Sequence, residues 1–390
     1  MQETANKELL QLMIEQLDLP KSIDRKVRDR YKSLSEWFSR EDSSLKEVDI
    51  FSQGSFALGT TIKPLSEDEE YDLDIGCKLK IAGYKKKHSQ KDLKDLIGRE
   101  LEMYRKKVNI QNPIDEKRRC WRLEYKDEVR FHLDIVPCIP LEDEQKLVYE
   151  QQLGKEYVSN EVFSEEVAHL AVNITDNERE NYEEISFKWN LSNSQGYVKW
   201  FQKQMQQTTQ SLCETKAHIE PVPIYNQKTI LQRCIQLLKR HRDNMFKDNK
   251  DCKPISVIIT TLAARAYKGE NNLEEAILNI LEEMPRYINS QKPRIPNPVK
   301  PEEDFTDRWA NPEFSDLKLE NNFNRWLIQA KIDFRKLLNL KRAKEIKVIL
   351  NEGFSLNVNE DILVDEYGFR TEDKTPLHMV TNPQVQPWRI

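Results

Sequence analysis

The run YDLDIGCKLKI, residues 71–81, alternates strictly, with Tyr71, Leu73 and Ile75 on one side and Asp72 and Asp74 on the other. A period of two marks a half-buried strand. It sets two carboxylates on one polar face, roughly 6–7 Å apart along the chain. The apolar side must meet a core, and the charged side must meet water or a cation. A second run, VRFHLDIV at 129–136, alternates likewise, with Phe131, Leu133 and Ile135 opposed to His132 and Asp134. If the two strands are neighbours in one sheet, three carboxylates converge, and like charges so close raise one another's pKa. A divalent cation relieves that repulsion. Hard oxygen ligands without Cys or His favour Mg²⁺, which keeps waters and is held jointly with substrate phosphates. Two such ions clamp the attacking and leaving oxygens of an in-line displacement.

D-x-D alone is common on polar strand faces, so the argument needs what precedes it. Residues 48–62, VDIFSQGSFALGTTI, read as a strand, a tight Gly54-Ser55 turn and a new element. Backbone N–H groups at such a start point at an anion, and the glycine lets a phosphate approach. Ser55 adds a hydroxyl donor. Only ten glycines occur in the chain, yet Gly54, Gly59, Gly76 and Gly83 fall within thirty residues, marking a segment with demanding backbone geometry. A phosphate-cradling turn, then D-x-D, then a third strand-borne Asp is an ordered constellation for phosphoryl chemistry.

Around it the chain reads as a mixed α/β half followed by a helical half. Leu9, Leu10, Met13, Ile14 and Leu17 recur at helical spacing, and a second helix runs from Pro20 to Trp37. Leu93, Leu96, Ile97, Leu101 and Tyr104 mark an amphipathic helix, and a further strand near Cys120–Lys126 precedes a polar turn at Asp127-Glu128. Beyond about residue 185 helices dominate. Ile230, Leu231, Cys234, Leu237 and Leu238 form one stripe, and Pro254 opens an apolar helix through Tyr267. Lys250 falls in an exposed loop. A proline-rich connector (Pro285 to Pro301) leads to a last helical stretch at 316–349, and a polar, loosely ordered tail follows. The domains are 1–185, a catalytic lobe with N-terminal helices; 186–350, a helical lobe; and 351–390, the tail.

Net charge is −5, so a polynucleotide partner would need a local basic patch. The one short run, Tyr84-Lys85-Lys86-Lys87-His88, reads as a solvated loop, which argues against a polynucleotide activator. Six cysteines without a C-x-x-C pair suit free thiols in a reducing cytosol. No run of about 18 apolar residues is present, so no membrane is crossed and a cytoplasmic protein is expected.

The run Gly54-Ser55-Phe56-Ala57-Leu58-Gly59-Thr60, with Asp72-Leu73-Asp74 and His132-Leu133-Asp134, resembles the polymerase-β-like nucleotidyltransferase superfamily. Within it the chain is similar to the cGAS/DncV-like nucleotidyltransferases of bacterial CBASS anti-phage defence. Ser192-Asn193-Ser194-Gln195-Gly196-Tyr197, Leu238-Lys239-Arg240-His241-Arg242-Asp243, Pro254-Ile255-Ser256 and Asn297-Pro298 extend the likeness. Ser194 stands where related sequences often have proline. The resemblance implies an α+β fold: a mixed-sheet palm flanked by helices plus a helical lobe, with a central cleft. It implies that Gln53, Gly54 and Ser55 touch a donor triphosphate, and that Asp72 and Asp74 bind two Mg²⁺ ions, with Mn²⁺ a substitute. Asp134 completes that site and helps activate the attacking hydroxyl. Lys239 and Ser256 reach phosphates from the helical lobe. On the residues alone, Arg122 either neutralises phosphate or pairs with Glu124 or Glu128. His132 either lines the cleft or is packed away.

The implied activity joins nucleoside monophosphates from ATP and other triphosphates into a cyclic di- or trinucleotide, releasing pyrophosphate. The product, not contact, activates a defence effector, and a regulatory protein partner is compatible with it. A template-independent transferase acting on RNA ends, which needs a long basic groove, is the alternative within the fold. A catalytically dead binding module is the alternative outside enzymes, and all three aspartates speak against it.

Overall fold

The computed structural model describes residues 2–43, 45, 47–66, 69–126, 130–156, 161–206 and 228–371. Helices α1 (Gln2–Leu17) and α2 (Lys21–Phe38) lead into β1 (Val48–Ser52), the four-residue helical turn α3 (Gly54–Ala57) and β2 (Tyr71–Leu79). Helix α4 (Gln90–Lys107) precedes β3 (Asp115–Glu116), β4 (Trp121–Lys126) and the long β5 (Arg130–Pro140). Helices α5 (Asp143–Glu156) and α6 (Glu161–Leu170) come before β6 (Val172–Ile174) and β7 (Asn190–Ser192). Then follow α7 (Ser194–Met205), α8 (Ile230–Met245), α9 (Ser256–Ala266) and α10 (Leu273–Glu283). A small ribbon of β8 (Pro296–Asn297) and β9 (Lys300–Asp304) precedes α11 (Leu319–Asn339), α12 (Ala343–Phe354) and α13 (Glu360–Asp365).

The main sheet runs β1-β2-β5-β4-β3, with β6 on β5 and β7 on β6. Among the described strands of this sheet only β2 and β5 pair in parallel; the other pairs are antiparallel. The register sets Asp72 beside His132 and Asp74 beside Asp134. Leu73, Ile75, Leu133 and Ile135 point the other way and bury against Val27, Tyr31, Leu34 and Phe38 of α2 and Leu93, Ile97, Leu101 and Tyr104 of α4. That burial pins the register, because a slip of one residue would put the aspartates in the core. Helix α4 starts on a capping box in which Ser89 and Asp92 bond reciprocally.

A separate apolar cluster joins α1, α5 and α6 to the helices from α7 onward. The sequence reading assigns α1, α5 and α6 to the catalytic lobe, yet their apolar faces pack with the helical one. The reason is chain geometry: α1 is amphipathic in its own right and lies on α8 and α10. Other expectations are also revised. Pro254 lies before Ile255, the N-cap of α9, and not in its first turn. The run at Tyr84–His88 is not simply a solvated loop: Tyr84 and Lys85 are buried, and the Lys85 ammonium donates to Gln145 Oε1 at 2.6 Å. The described part of the tail expected to be loose, up to residue 371, is packed: Leu363 of α13 and Phe369 beyond it are buried. Asp127, Glu128, Cys213 and residues 372–390 lie outside the described residues. The five described cysteines are free, and no described helix is long and apolar enough to cross a membrane.

The two halves are stitched by one face of α8. Gln232 Nε2 donates to the Leu58 carbonyl at 2.8 Å and Gln236 Nε2 to the Thr61 carbonyl at 2.8 Å. Lys239 Nζ donates to the Thr60 carbonyl at 3.1 Å, and Arg240 donates to the Lys63 carbonyl. These positions recur every three to four residues, the spacing that keeps side chains on one helix face. They fix the segment that follows the Gly54–Ser55 turn.

Candidate active site

Strand β1 ends at Ser52 and the chain turns sharply at Gly54, whose φ is +58°. A Cβ at Gly54 would lie 2.1 Å from Asp74 Oδ2, so only glycine lets turn and carboxylate meet. The first amides of a helical turn lack intrahelical partners and can face an anion. Ser55 Oγ lies 3.1 Å from Thr61 Oγ1. A cleft of about 490 Å³ opens here between the sheet and the helical half; Gly54, Ser55, Asp72, Asp74, Lys239 and Ser256 line it.

Adjacent parallel strands bring the three aspartates together. Burial, then the facing charges of Asp72 and Asp134, push the Asp74 carboxyl up to about 7. Ligand atoms of Asp72, His132 and Asp134 lie within 4.8 Å of one another, while Asp74 is turned toward Gly54. Protein donors meet two of the three carboxylates. Arg122 forks onto Asp134, with Nε to Oδ1 at 2.8 Å and Nη2 to Oδ2 at 2.7 Å. Arg122 is thus held by Asp134, a partner that neither sequence reading named, and Glu128 lies outside the described residues. His132 Nε2 meets Asp72 at 3.1 Å and Nδ1 meets Glu70 at 3.0 Å. Burial pushes its pKa down, but the hydrogen bonds it donates to Asp72 and Glu70 outweigh that and the net shift is upward. With both nitrogens on carboxylates the ring acts as a donor rather than a metal ligand. The donor set left for a cation is therefore carboxylate oxygen. Each oxygen of Asp134 keeps a second lone pair beside the guanidinium. Asp74, held so far above the carboxylate range, is the group a divalent cation would most relieve. The residues fit such an ion.

Lys239 enters from α8 and is 4% exposed. Burial and the nearby Arg242 push its ammonium down to about 7, against the pull of Asp243 and Asp74. It donates to Thr60, one turn from Ser55. Ser256 accepts from Arg242 Nη1 at 2.9 Å at the cleft wall. Gln53 stands apart: it caps α3, and its Nε2 lies 2.6 Å from where a Cβ at Gly76 would be. Sequence reasoning passed over Thr60, Asn190, Lys300 and Arg119, all lining the cleft. The only signal for Arg119 in the sequence is a dibasic pair just before the strand at Cys120–Lys126.

A mixed sheet presenting clustered carboxylates opposite a Gly-Ser turn, with a buried lysine from a helical lobe, defines a nucleotidyltransferase. Comparison narrows the class. Residues 48–138 match the family described as cyclic GMP-AMP synthase DncV-like, nucleotidyltransferase domain. A c-di-GMP synthase from Roseivirga ehrenbergii is 29% identical over 318 residues, covering 79% of this chain and 74% of that protein. The CD-NTase CdnG of Bradyrhizobium diazoefficiens, solved in complex with GTP, superposes with a TM-score of 0.61 at 21% identity over 93% of this chain and 98% of its own. Vibrio cholerae DncV, solved with the linear intermediate pppA(3′,5′)pG, gives 0.51 at 15% identity over 92% and 88%. Residues 48–138 thus form a DncV-like nucleotidyltransferase domain, and the chain around it shares its fold with CdnG and its sequence in part with a cyclic dinucleotide synthase.

Proposed function

We propose that this chain condenses two nucleoside triphosphates into a cyclic dinucleotide with two Mg²⁺ ions held by Asp72, Asp74 and Asp134, and that the product activates an anti-phage effector. The observation that carries the reading is the register of β2 on β5, which sets Asp74 beside Asp134 while Gly54 abuts Asp74. Bound there, divalent ions would supply charge stabilisation to the transferring phosphoryl group. The chain's residues do the rest. The Gly54–Ser55 turn and Lys239 bind the donor phosphates from opposite walls. A ribose hydroxyl of the second nucleotide forms a bond to the donor α-phosphorus as the α–β bridging P–O bond breaks. Pyrophosphate leaves with the bonding pair, and the hydroxyl proton passes to solvent. A second transfer in the same sense closes the ring. The names of the relatives make GTP and ATP the first substrates to try.

The test is incubation with each labelled triphosphate and Mg²⁺, followed by phosphatase. Label resistant to phosphatase is the expected result. A ladder of lengths would make the chain a polymerase, and no turnover with any mixture would leave a binding module.

A further inference from the structure

Outside the carboxylate cluster, two fully buried charges, Lys94 and Asp176, converge on one turn. Strands β3 and β4 form a hairpin whose tip is closed by the Lys117 amide donating to the Cys120 carbonyl at 2.9 Å. Two side chains without exposed surface, from different elements, hold that tip. Lys94 of α4 donates to the carbonyls of Lys117 and Arg118 and lies 3.1 Å from Glu116. Asp176, just after β6, accepts Arg118 Nε at 2.9 Å, Arg119 Nε at 3.1 Å and Asn190 Nδ2 at 2.9 Å. Burying two charges is costly and is not the cheapest way to stabilise a surface hairpin. It does immobilise a guanidinium.

The two arginines then part. Arg118 sends Nη1 to Glu178 at 2.8 Å. Arg119 lines the cleft, its side chain is 51% exposed, and among the described residues its Nη atoms have no protein partner. With Nε tied down, the free fork has the geometry that grips phosphate oxygens two at a time. Of the described residues lining the cleft, three are cations: Lys239, Lys300 and Arg119. Lys239 is bonded to Thr60 beside the donor turn, and Lys300 Nζ reaches the Leu191 carbonyl at 3.4 Å. A second triphosphate must present its hydroxyl to the carboxylates while its own phosphates point elsewhere, because the Gly54 turn is taken.

We infer that Arg119 anchors the phosphates of the acceptor nucleotide, and that Asp176 and Lys94 are the residues that position it. This rests on the two-nucleotide reading above. The experiment separates the roles by chemistry. A labelled 2′,3′-dideoxynucleoside triphosphate can only donate. A nucleoside, its monophosphate and its α,β-methylene di- and triphosphates can only accept. For the unaltered protein, KM for the acceptor should fall as phosphates are added. Arg119→Gln should flatten the series, raising KM for the triphosphate acceptor about 10- to 100-fold, the range for losing a charge-assisted contact. Transfer to the nucleoside and the KM of the donor should stay unchanged, and Arg119→Lys should restore part of the preference. Equal losses on every acceptor would make Arg119 merely structural. A KM indifferent to acceptor phosphates, or unchanged in Arg119→Gln, overturns the inference while transfer itself stands. No transfer by the unaltered protein to any acceptor or from any triphosphate mixture overturns the proposed function instead.

Discussion

Asp74 and Asp176 are both carboxylates withdrawn from water, and their surroundings move them in opposite directions. Around Asp74, burial acts first and two further carboxylates add to it, so the group is pushed up to about 7. Around Asp176, burial acts in the same sense, but the guanidinium hydrogen bonds of Arg118 and Arg119 outweigh it and hold the group below its ordinary value. One site is neutralised by the fold, and the other is left for something the fold does not contain. Compensated charge marks a structural or positioning role, while uncompensated charge marks a place where a ligand is expected.

The largest effect should come from removing the two carboxylates of β2. Asp72→Ala with Asp74→Ala should lower nucleotide incorporation by roughly 10³-fold or more, the scale of losing several kcal/mol of transition-state charge stabilisation. The variant should fold, since it sheds repulsion. Incorporation retained to within tenfold would end the assignment of the metals to β2.

Next in size is Lys239, the cation that faces Asp74 across the cleft. Lys239→Ala should weaken triphosphate use by about 10- to 1000-fold, the scale of a lost charge-assisted contact plus some orientation. Its pKa near 7 adds a pH signature. Above pH 7 the free protein carries a neutral amine, so binding a polyanion must take up a proton. KM for the donor should then rise as pH climbs from 7 to 9, and that rise should vanish in Lys239→Ala. A slope unchanged by the substitution would assign the titration elsewhere.

The comparison itself can be read by melting in EDTA. Between its ordinary value and about 7 the native state keeps a proton on Asp74 that the unfolded chain has lost. Stability should therefore fall as pH rises through that window, by at most about 1.4 kcal/mol per unit. Asp74→Asn should remove the fall and melt higher at pH 8. Asp176 behaves oppositely: its stabilisation is present above the ordinary carboxylate pKa and lost as pH drops through the lower native value. Asp176→Asn should cost about 1–3 kcal/mol at neutral pH, discounted because both arginines are half exposed, with the gap closing in acid. Shifts of the same sign in the two variants would erase the distinction between the sites.

Much of the carboxylate site was legible because its signal is local. Alternation placed Asp72, Asp74 and Asp134 on polar faces, and Gly54-Ser55 announced a turn. What sequence alone left conditional was adjacency: β5 joins β2 in parallel only after α4 and the β3–β4 excursion, and nothing nearby in the chain encodes that pairing. The partner of Arg122 was within reach. A hairpin pairing Lys126 with Arg130 also pairs Arg122 with Asp134, four residues back on each strand. Glu124 on the same strand and Glu128 in the turn are nearer carboxylates in sequence, and they mask the true partner. Asp176 could not have been found, because an isolated Asp beyond a three-residue strand has no periodicity to betray what it holds. In the helical half, apolar stripes told which faces pack but not that α1 packs there too.

The smallest effect concerns the other lysine that crosses between the halves. Lys250 sits on a short 3-10 turn and reaches Glu69 Oε1 at 2.5 Å, with its side chain 57% exposed. It and Lys239 both tie the helical half to the segment between the Gly54 turn and β2, so a mechanical account would weigh them alike. Electrostatics does not. An exposed pair in water gains little and is screened by salt, whereas a buried ammonium beside a carboxylate cluster is screened far less. Lys250→Ala should leave the KM for every triphosphate unchanged and move the melting temperature barely at all. Even that shift should disappear in about 0.5 M salt, where the screening length is a few ångströms. The Lys239→Ala defect should persist there, once compared with the unaltered protein at the same salt. If Lys250→Ala instead impairs triphosphate use as strongly as Lys239→Ala, then tethering of the halves governs the site and the charge that Lys239 brings to the cleft does not.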